Sequence, residues 1–433
     1  MLDSSISKKI LIISYYWPPS GGSGVQRWVY FAKYLKRMGY IPIVITVDPS
    51  KATYPSEDKS LLTEVEGIQT IRTDSFEPLQ LYSKMVSGSK KKAVPFGSVD
   101  TENKSFIKKI PAFIRGNFVL PDARKYWKKF ALPEAKKIIE SENIAVVITT
   151  GPPHSTHLIG KAIKEKYDLP WIADFRDPWT EIFYNKDLFR TSFANNLDKK
   201  METSVLNKAD AVLAISEHTA KLLYPKMEDP SKVHCILNGF DAELLEKIES
   251  QPLQGITFAY VGYLGKHHVH EPFTKGLEAF CKANPDKKFN LHLAGNIEQP
   301  ILEKWERIEQ LNIIHEGVVT HQRALEICCS ATVLFISIPK SSYALGNIPG
   351  KLLEYLATGN PIILVTEKGS DAEKIIAEYE NTLTLSSEDN TCFIEFVNKV
   401  ENGIIKPRKS LATVMKYSRE EITKQLEKVI QGI

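Results

Sequence analysis

Lys9 to Tyr16, KILIISYY, is a short apolar, β-branched run closed by Pro18 and Pro19, the pattern of a strand buried on both faces. From Val25 to Met38 the apolar positions Val25, Trp28, Val29, Phe31, Ala32 and Leu35 recur at helical spacing, and Gly39 supplies the stop. Ile41 to Val47, IPIVITV, reads as the next strand. The alternation returns with strands at Ala145 to Thr149, Trp171 to Asp174 and Ala211 to Ile215, separated by helical stretches at Thr156 to Lys166 and Phe193 to Asn207. A polar stretch near Glu246 to Gly255 then precedes a second series: Thr257 to Val261, Asn290 to Ala294, Ile313 to Glu316, Thr332 to Ile336, Pro361 to Val365 and Asn381 to Leu385. The predicted class is α/β, with two doubly wound, Rossmann-like domains facing one another across a cleft. Their expected bounds are 1–245 and 246–410, with 411–433 a C-terminal helix packing back on the first domain.

One segment breaks this rhythm. Between Lys84 and Lys129 twelve basic residues stand against three acidic ones, a local charge of +9 in a chain whose net charge is +4. Aromatic and aliphatic residues interleave with the cations, as in FIKKIPAFIR from Phe106 to Arg115. Within the first domain, the insertion at about 84–130 suits an interfacial surface on anionic lipid; a solvated loop with a surface helix is the plainer reading.

The remaining composition narrows the class. With 433 residues, 43% hydrophobic and 25% charged, the chain has ample core for two or three domains, and wholesale disorder is excluded. The small net charge does not argue for a nucleic-acid partner. Five scattered cysteines without a CxxC pair fit a reducing compartment and no zinc site. No signal-peptide order and no long apolar run occurs, so the expected location is cytoplasmic, with peripheral attachment to the inner face of the plasma membrane.

Four motifs fall at predicted strand ends. In Pro18 to Gly24, Gly21 and Gly22 let the backbone approach a ligand, and the following helix amides can face a phosphate or sugar oxygen; a plain tight turn would look the same. GPPHS, Gly151 to Ser155, places His154 on a stiff turn within reach of a substrate hydroxyl, with Ser155 or Thr156 as a helix cap. ADFRDPW brings Asp174, Arg176 and Asp177 to the next strand end, as site groups or as an internal ion pair. The most informative is LGNIPGKLLEYLATGNP: Gly346, Asn347, Ile348, Pro349 and Gly350 form a loop entering a helix at Pro349. Free amides and the positive helix end would meet a diphosphate there, with Lys351 as a point charge and Glu354 accepting from ribose hydroxyls.

These stretches, with YYWPPSGGSGVQR, ADAVLAISE, ILNGFD, YVGYLG and LHLAGN in order, resemble the GT-B glycosyltransferases of the retaining family 4 type, in an envelope-polysaccharide subgroup. IPGKLLEYLATGNPII is the most specific match. The resemblance implies a nucleotide-diphosphate sugar bound by the C-terminal domain and a glycan or lipid-linked glycan acceptor bound by the N-terminal domain. It needs no cofactor. Glu354 matches the second glutamate of that family's E-x7-E motif, while the first falls at Gly346; Lys351 becomes the diphosphate ligand. Tyr263 stands where that family commonly has arginine, leaving Lys266 as the nearest cation. His154 and Asp174 would orient sugar hydroxyls, and no DxD metal triplet occurs. A nucleotide-sugar epimerase or hydrolase of the same architecture, and a noncatalytic nucleotide-binding scaffold, remain as alternatives. A nicotinamide-dependent oxidoreductase lacks its GxGxxG fingerprint.

Overall fold

The computed structural model describes residues 8–54, 56–77, 106–182, 185, 188–341, 343–386, 391–408 and 410–433. Residues 84–105 of the expected basic insertion lie outside them.

The chain divides into two compact units. Met1–Leu237 with Thr423–Ile433 forms the first, around β1 (Lys9–Ile13), β2 (Ile41–Val47), β3 (Gln69–Thr73), β4 (Ile144–Gly151), β5 (Trp171–Phe175), β6 (Ala211–Ala214) and β7 (Val233–Cys235). Their order is β3-β2-β1-β4-β5-β6-β7, and every pair is parallel. Asn238–Ile422 forms the second unit, around β8 (Thr257–Val261), β9 (Phe289–Ala294), β10 (Leu311–His315), β11 (Val333–Ser337), β12 (Ile362–Val365) and β13 (Thr382–Leu385). Their order is β10-β9-β8-β11-β12-β13, again all parallel.

Hydrophobic runs drive this arrangement. Leu11, Ile13, Ile43, Ile45 and Val147 pack on one face of the first sheet with Trp127, Ile159 and Ile163, and all are essentially removed from solvent. Burying one such aliphatic side chain contributes about 1.5 to 3 kcal/mol, so strands covered on both faces stay apolar along their length. The helix Ser23–Arg37 buries Val25, Trp28, Val29, Phe31, Ala32 and Leu35, the positions whose spacing predicted it. Gly39, at φ 89°, lets the chain turn from that helix into β2.

Both sheets reverse direction of winding at one place, between β1 and β4 and between β8 and β11. Crossovers leave those two strands toward opposite faces, which opens a crevice at their carboxyl ends. The glycine-rich loop and GPPHS follow β1 and β4, while YLGKHH and the loop of the fourth motif follow β8 and β11. All four loops therefore start where a doubly wound sheet leaves room for a ligand.

Candidate functional site

In the first unit the glycine-rich loop lies against residues 56–58. Gly21 N–H donates to the Ser56 carbonyl at 2.9 Å, and a Cβ on Gly21 would meet Ser56 Oγ and Asp58 Cβ at 3.1 Å each. Gly22, at φ 101°, stands before the helix Ser23–Arg37, which has no side-chain cap. Arg176 fills the space beside that first turn: its Nη1 lies 1.2 Å from where a Gly24 Cβ would be. The rest of its guanidinium donates to the carbonyls of Gly151 (Nε, 3.2 Å) and Pro152 (Nη2, 2.6 Å). A cation and an uncapped helix N-terminus, both positive, thus meet between the first two motifs. Burial lowers the Arg176 pKa, with Asp177 and Asp174 opposing, and burial raises that of Asp177.

His154 follows β4 in a tight turn and is 5% exposed, its ring stacked on Trp179 at 5.2 Å. Neither ring nitrogen has a well-aligned hydrogen-bond partner among the described residues. Burial first, then His157 and Arg176, holds its pKa well below the usual histidine range. His157 stacks on Phe175 at 4.6 Å, pairs through Nδ1 with Thr149 Oγ1 at 2.9 Å, and is pushed by burial to about 3. Both imidazoles lean over Gly151, where a Cβ would come within 2.7 Å of His154 Nδ1 and 2.6 Å of His157 Nε2. Asp122 holds the turn, accepting from Ser155 N–H at 2.7 Å and Ser155 Oγ at 2.8 Å.

Asp174 corrects an expectation. Its carboxylate accepts from Arg27 Nη2 at 2.9 Å, Trp28 Nε1 at 2.6 Å and Thr150 Oγ1 at 2.9 Å, and both partners of the Arg27–Asp174 pair are 0% exposed. A sugar hydroxyl has no surface of Asp174 to reach. Arg27 also grips the carbonyls of Ile236 and Leu237 at 2.9 Å each, so the pair fastens the helix Ser23–Arg37 and β5 to the end of the first unit's main segment. Asp174 is therefore in an ion pair, but with Arg27 from outside the motif rather than with Arg176 within it.

The second unit gathers the fourth motif around β8. Lys351, half-buried, donates from Nζ to the Val261 carbonyl at 3.2 Å and lies over the Tyr260 ring at 3.8 Å. Burial drags its pKa down to about 7 against the pull of Cys328 and Glu354. The helix begins at Gly350, with Pro349 as its N-cap rather than its first residue, because Pro349 keeps an extended ψ of 136°. No side chain caps that end, and a Cβ on Gly350 would meet nothing within 4 Å. Ala344–Gly346 forms a short 3₁₀ turn, and Gly346 and Ile348 are buried while Asn347 is partly exposed. Tyr355 ties helix to strand by accepting from Val261 N–H at 3.0 Å.

Glu354 Oε1 pairs with His321 Nε2 at 2.9 Å, which raises the His321 pKa. Phe240, Asp241, Leu245, Leu325 and Ala357 close around this pair in a narrow crevice that leaves no room for a water molecule. Gly262 and Gly295, at φ 116° and 107°, allow the turns after β8 and β9 to touch: a Gly295 Cβ would sit 2.2 Å from the Gly262 carbonyl oxygen. Lys266 is exposed in the turn after β8, and its N–H donates to Glu298 Oε2 at 2.9 Å while Tyr263 OH donates to Oε1 at 2.6 Å. His268, in that turn, is pushed to about 4 by burial and by Lys351.

The structure thus brings Gly21, Gly22, His154 and Arg176 to one switch point, and Gly350, Lys351, Glu354 and Lys266 to the other. Ser155 caps no helix, being held by Asp122, and Thr156 makes no cap bond either. Arg27, Asp122, His157, His321 and Glu298 escaped the sequence reading. Apart from His157, the partners named above lie 32 to 210 positions away, and only the second histidine beside GPPHS gave a local signal.

Residues 95–244 match the model of Glycosyltransferase Family 4. An uncharacterized glycosyltransferase of Methanocaldococcus jannaschii is 25% identical over 238 residues, 50% of this chain and 54% of that protein, so the match spans about half the length of this curated relative. Among solved structures, the Anabaena protein HepE in complex with UDP superposes with a TM-score of 0.62 at 11% identity, covering 98% of this chain and all of that one. A glycosyltransferase from Rickettsia africae superposes with a TM-score of 0.61 at 14% identity, covering 98% of each chain. The two parallel sheets, their strand orders and these superpositions make the fold GT-B, and most of the stretch that matches the Glycosyltransferase Family 4 model lies in the first unit.

Proposed function

We propose that the chain is a glycosyltransferase that moves a sugar from a nucleotide-diphosphate donor to a glycan or lipid-linked glycan acceptor, with retention and without a metal, in cell-envelope polysaccharide synthesis at the cytoplasmic side of the membrane. The observation that carries this reading is the pairing of Lys351 with the uncapped helix N-terminus at Gly350, beside the β8/β11 switch point. HepE, of the same fold, has been solved with UDP and with UDP-glucose, which supports a nucleotide sugar as donor.

In this reading the diphosphate lies at the Gly350 and Lys351 amides. As the bond from the anomeric carbon to the phosphate oxygen breaks, negative charge grows on the leaving diphosphate, and Lys351 with the helix end stabilises it. The acceptor hydroxyl bonds to the anomeric carbon from the same face, and its proton passes to the departing phosphate oxygen. Glu354, with one oxygen fixed by His321, offers the other to a ribose hydroxyl. In the first unit, Arg176 with the Gly21–Gly22 turn holds an anionic part of the acceptor, and neutral His154, its ring nitrogens enclosed, packs behind the turn that carries it. Asp177, beside Arg176, limits that positive charge.

Two expected outcomes follow from this placement. Glu354→Gln raises the donor KM by about 10-fold or more with little change in kcat, because a ribose contact is equally strong in the ground and transition states. Steady-state kinetics checks this, and an unchanged KM removes Glu354 from the ribose. Proton uptake is the second. Below about pH 7 Lys351 is already protonated and donor binding takes up no proton; above it, binding an anionic diphosphate must recruit one, so affinity falls as pH rises. Titration calorimetry with UDP-glucose at about pH 6 and about pH 8.5, in buffers of different ionisation enthalpy, should show uptake only at the higher pH.

The activity itself is tested with a panel of nucleotide sugars, first by thermal stabilisation and then by product analysis with and without acceptor glycans. Donor-dependent glycan extension supports the transferase. Sugar isomerisation or hydrolysis without acceptor makes it an epimerase or hydrolase, and binding without any turnover makes it a scaffold.

A further inference from the structure

We propose that the first unit carries a surface that inserts into an anionic lipid bilayer, built by two helices, Phe106–Phe118 and Ser192–Lys208, of which the basic insertion supplies only one. The two are fastened side by side. Asn117 Nδ2 donates to the Phe189 carbonyl at 3.1 Å, and its Oδ1 accepts from Thr191 N–H and Thr191 Oγ1 at 2.7 Å each. Gly116 faces Leu188 so closely that a Cβ would lie 2.2 Å from the Leu188 carbonyl oxygen.

Large apolar side chains stand outward along this junction. Phe118 is 67% and Phe193 78% exposed, and Phe113, Ile114, Phe189 and Leu197 are exposed with them. Phe193 and Leu197 are four residues apart and share one face of their helix, as do Ile114 and Phe118 on the other. Phe189 is held at φ 46°, a backbone conformation a bulky residue rarely adopts. Contiguous exposed aromatics of this kind mark an interaction surface.

Charge selects the partner. The helix Ser192–Lys208 contains two carboxylates, and both point inward: Asp198 pairs with Arg190 at 2.5 Å and Glu202 with Lys226 at 2.9 Å, with their side chains 1% and 0% exposed. Its outward side keeps Lys199 and Lys200. The helix Phe106–Phe118 has no acidic residue and carries Arg115 between Ile114 and Gly116. Among the described residues the two helices therefore show solvent aromatics and cations with no exposed carboxylate, the combination that suits acyl chains beneath anionic headgroups. No helix among the described residues is long and apolar enough to cross a membrane.

Flotation of the full chain with vesicles tests this. Vesicles of phosphatidylcholine with about 30% phosphatidylglycerol should retain the protein, and pure phosphatidylcholine should not. Phe118→Ser with Phe193→Ser, and separately Lys199→Glu with Lys200→Glu, should each weaken partitioning by about tenfold or more. All six native tryptophans are buried, so Phe193→Trp adds the one exposed indole among the described residues, and brominated lipid should quench it on binding. UDP-induced thermal stabilisation is followed in every variant; its persistence separates a failed membrane site from a failed nucleotide site. Absence of binding by the wild-type chain, retention of the serine variant at wild-type strength, or an unquenched added indole on the bound Phe193→Trp protein would each overturn the insertion.

Discussion

Replacing Lys351 with alanine lowers turnover by about 10² to 10³ fold and leaves the fold intact. The magnitude is that of removing one preorganised charge-stabilising group from a site where negative charge develops. The fold survives because, among the described residues, the ammonium contributes one hydrogen bond, to the Val261 carbonyl, and a contact with the Tyr260 ring. A lysine whose pKa is dragged to about 7 is being held at a desolvation cost that the apo protein gains little from. That cost makes sense where an anion is to be received. Steady-state kinetics alongside a thermal melt measures both halves of the expectation. Near wild-type turnover in a folded variant would take Lys351 out of the reaction, whereas loss of folding would make it a structural residue.

Asp174→Ala destabilises the protein by about 3 to 5 kcal/mol, the usual cost of stranding one partner of a buried ion pair. Arg27 would keep the Ile236 and Leu237 carbonyls but lose its counter-charge in a place closed to solvent, and Trp28 and Thr150 would lose their acceptor. Denaturant unfolding should report the loss. Replacing both residues, Arg27→Met with Asp174→Leu, should restore part of the stability because no charge is then left buried. A stable Asp174→Ala protein with reduced transfer would return Asp174 to the role of sugar ligand that its strand-end position first suggested.

That case shows where a sequence stops being readable. ADFRDPW announces carboxylates at a strand end, but the partner that consumes Asp174 lies 147 positions earlier, on a helix whose apolar spacing says nothing about Arg27. The central strands were legible because burial on both faces demands unbroken apolar runs. β3 and β7, at the two edges of the first sheet, were missed: QTIRT and VHC are mostly half-buried and carry no such run. The fourth motif was legible for a different reason. Its chemistry is local, a glycine loop, a helix start and a lysine within a few positions, so only the boundary at Pro349 needed the backbone. His321, which fixes Glu354, belongs to a neighbouring helix and became visible only when the two helices were packed.

The central claim is that a nucleoside diphosphate is received by Lys351 and the amides that open the helix Gly350–Thr358. A crystal structure of the protein with UDP bound tests it most directly. The diphosphate should lie within hydrogen-bond distance of Lys351 Nζ and of the Gly350 and Lys351 amides, with the ribose at Glu354. A diphosphate bound elsewhere in the second unit, with that helix end left to solvent, would contradict it.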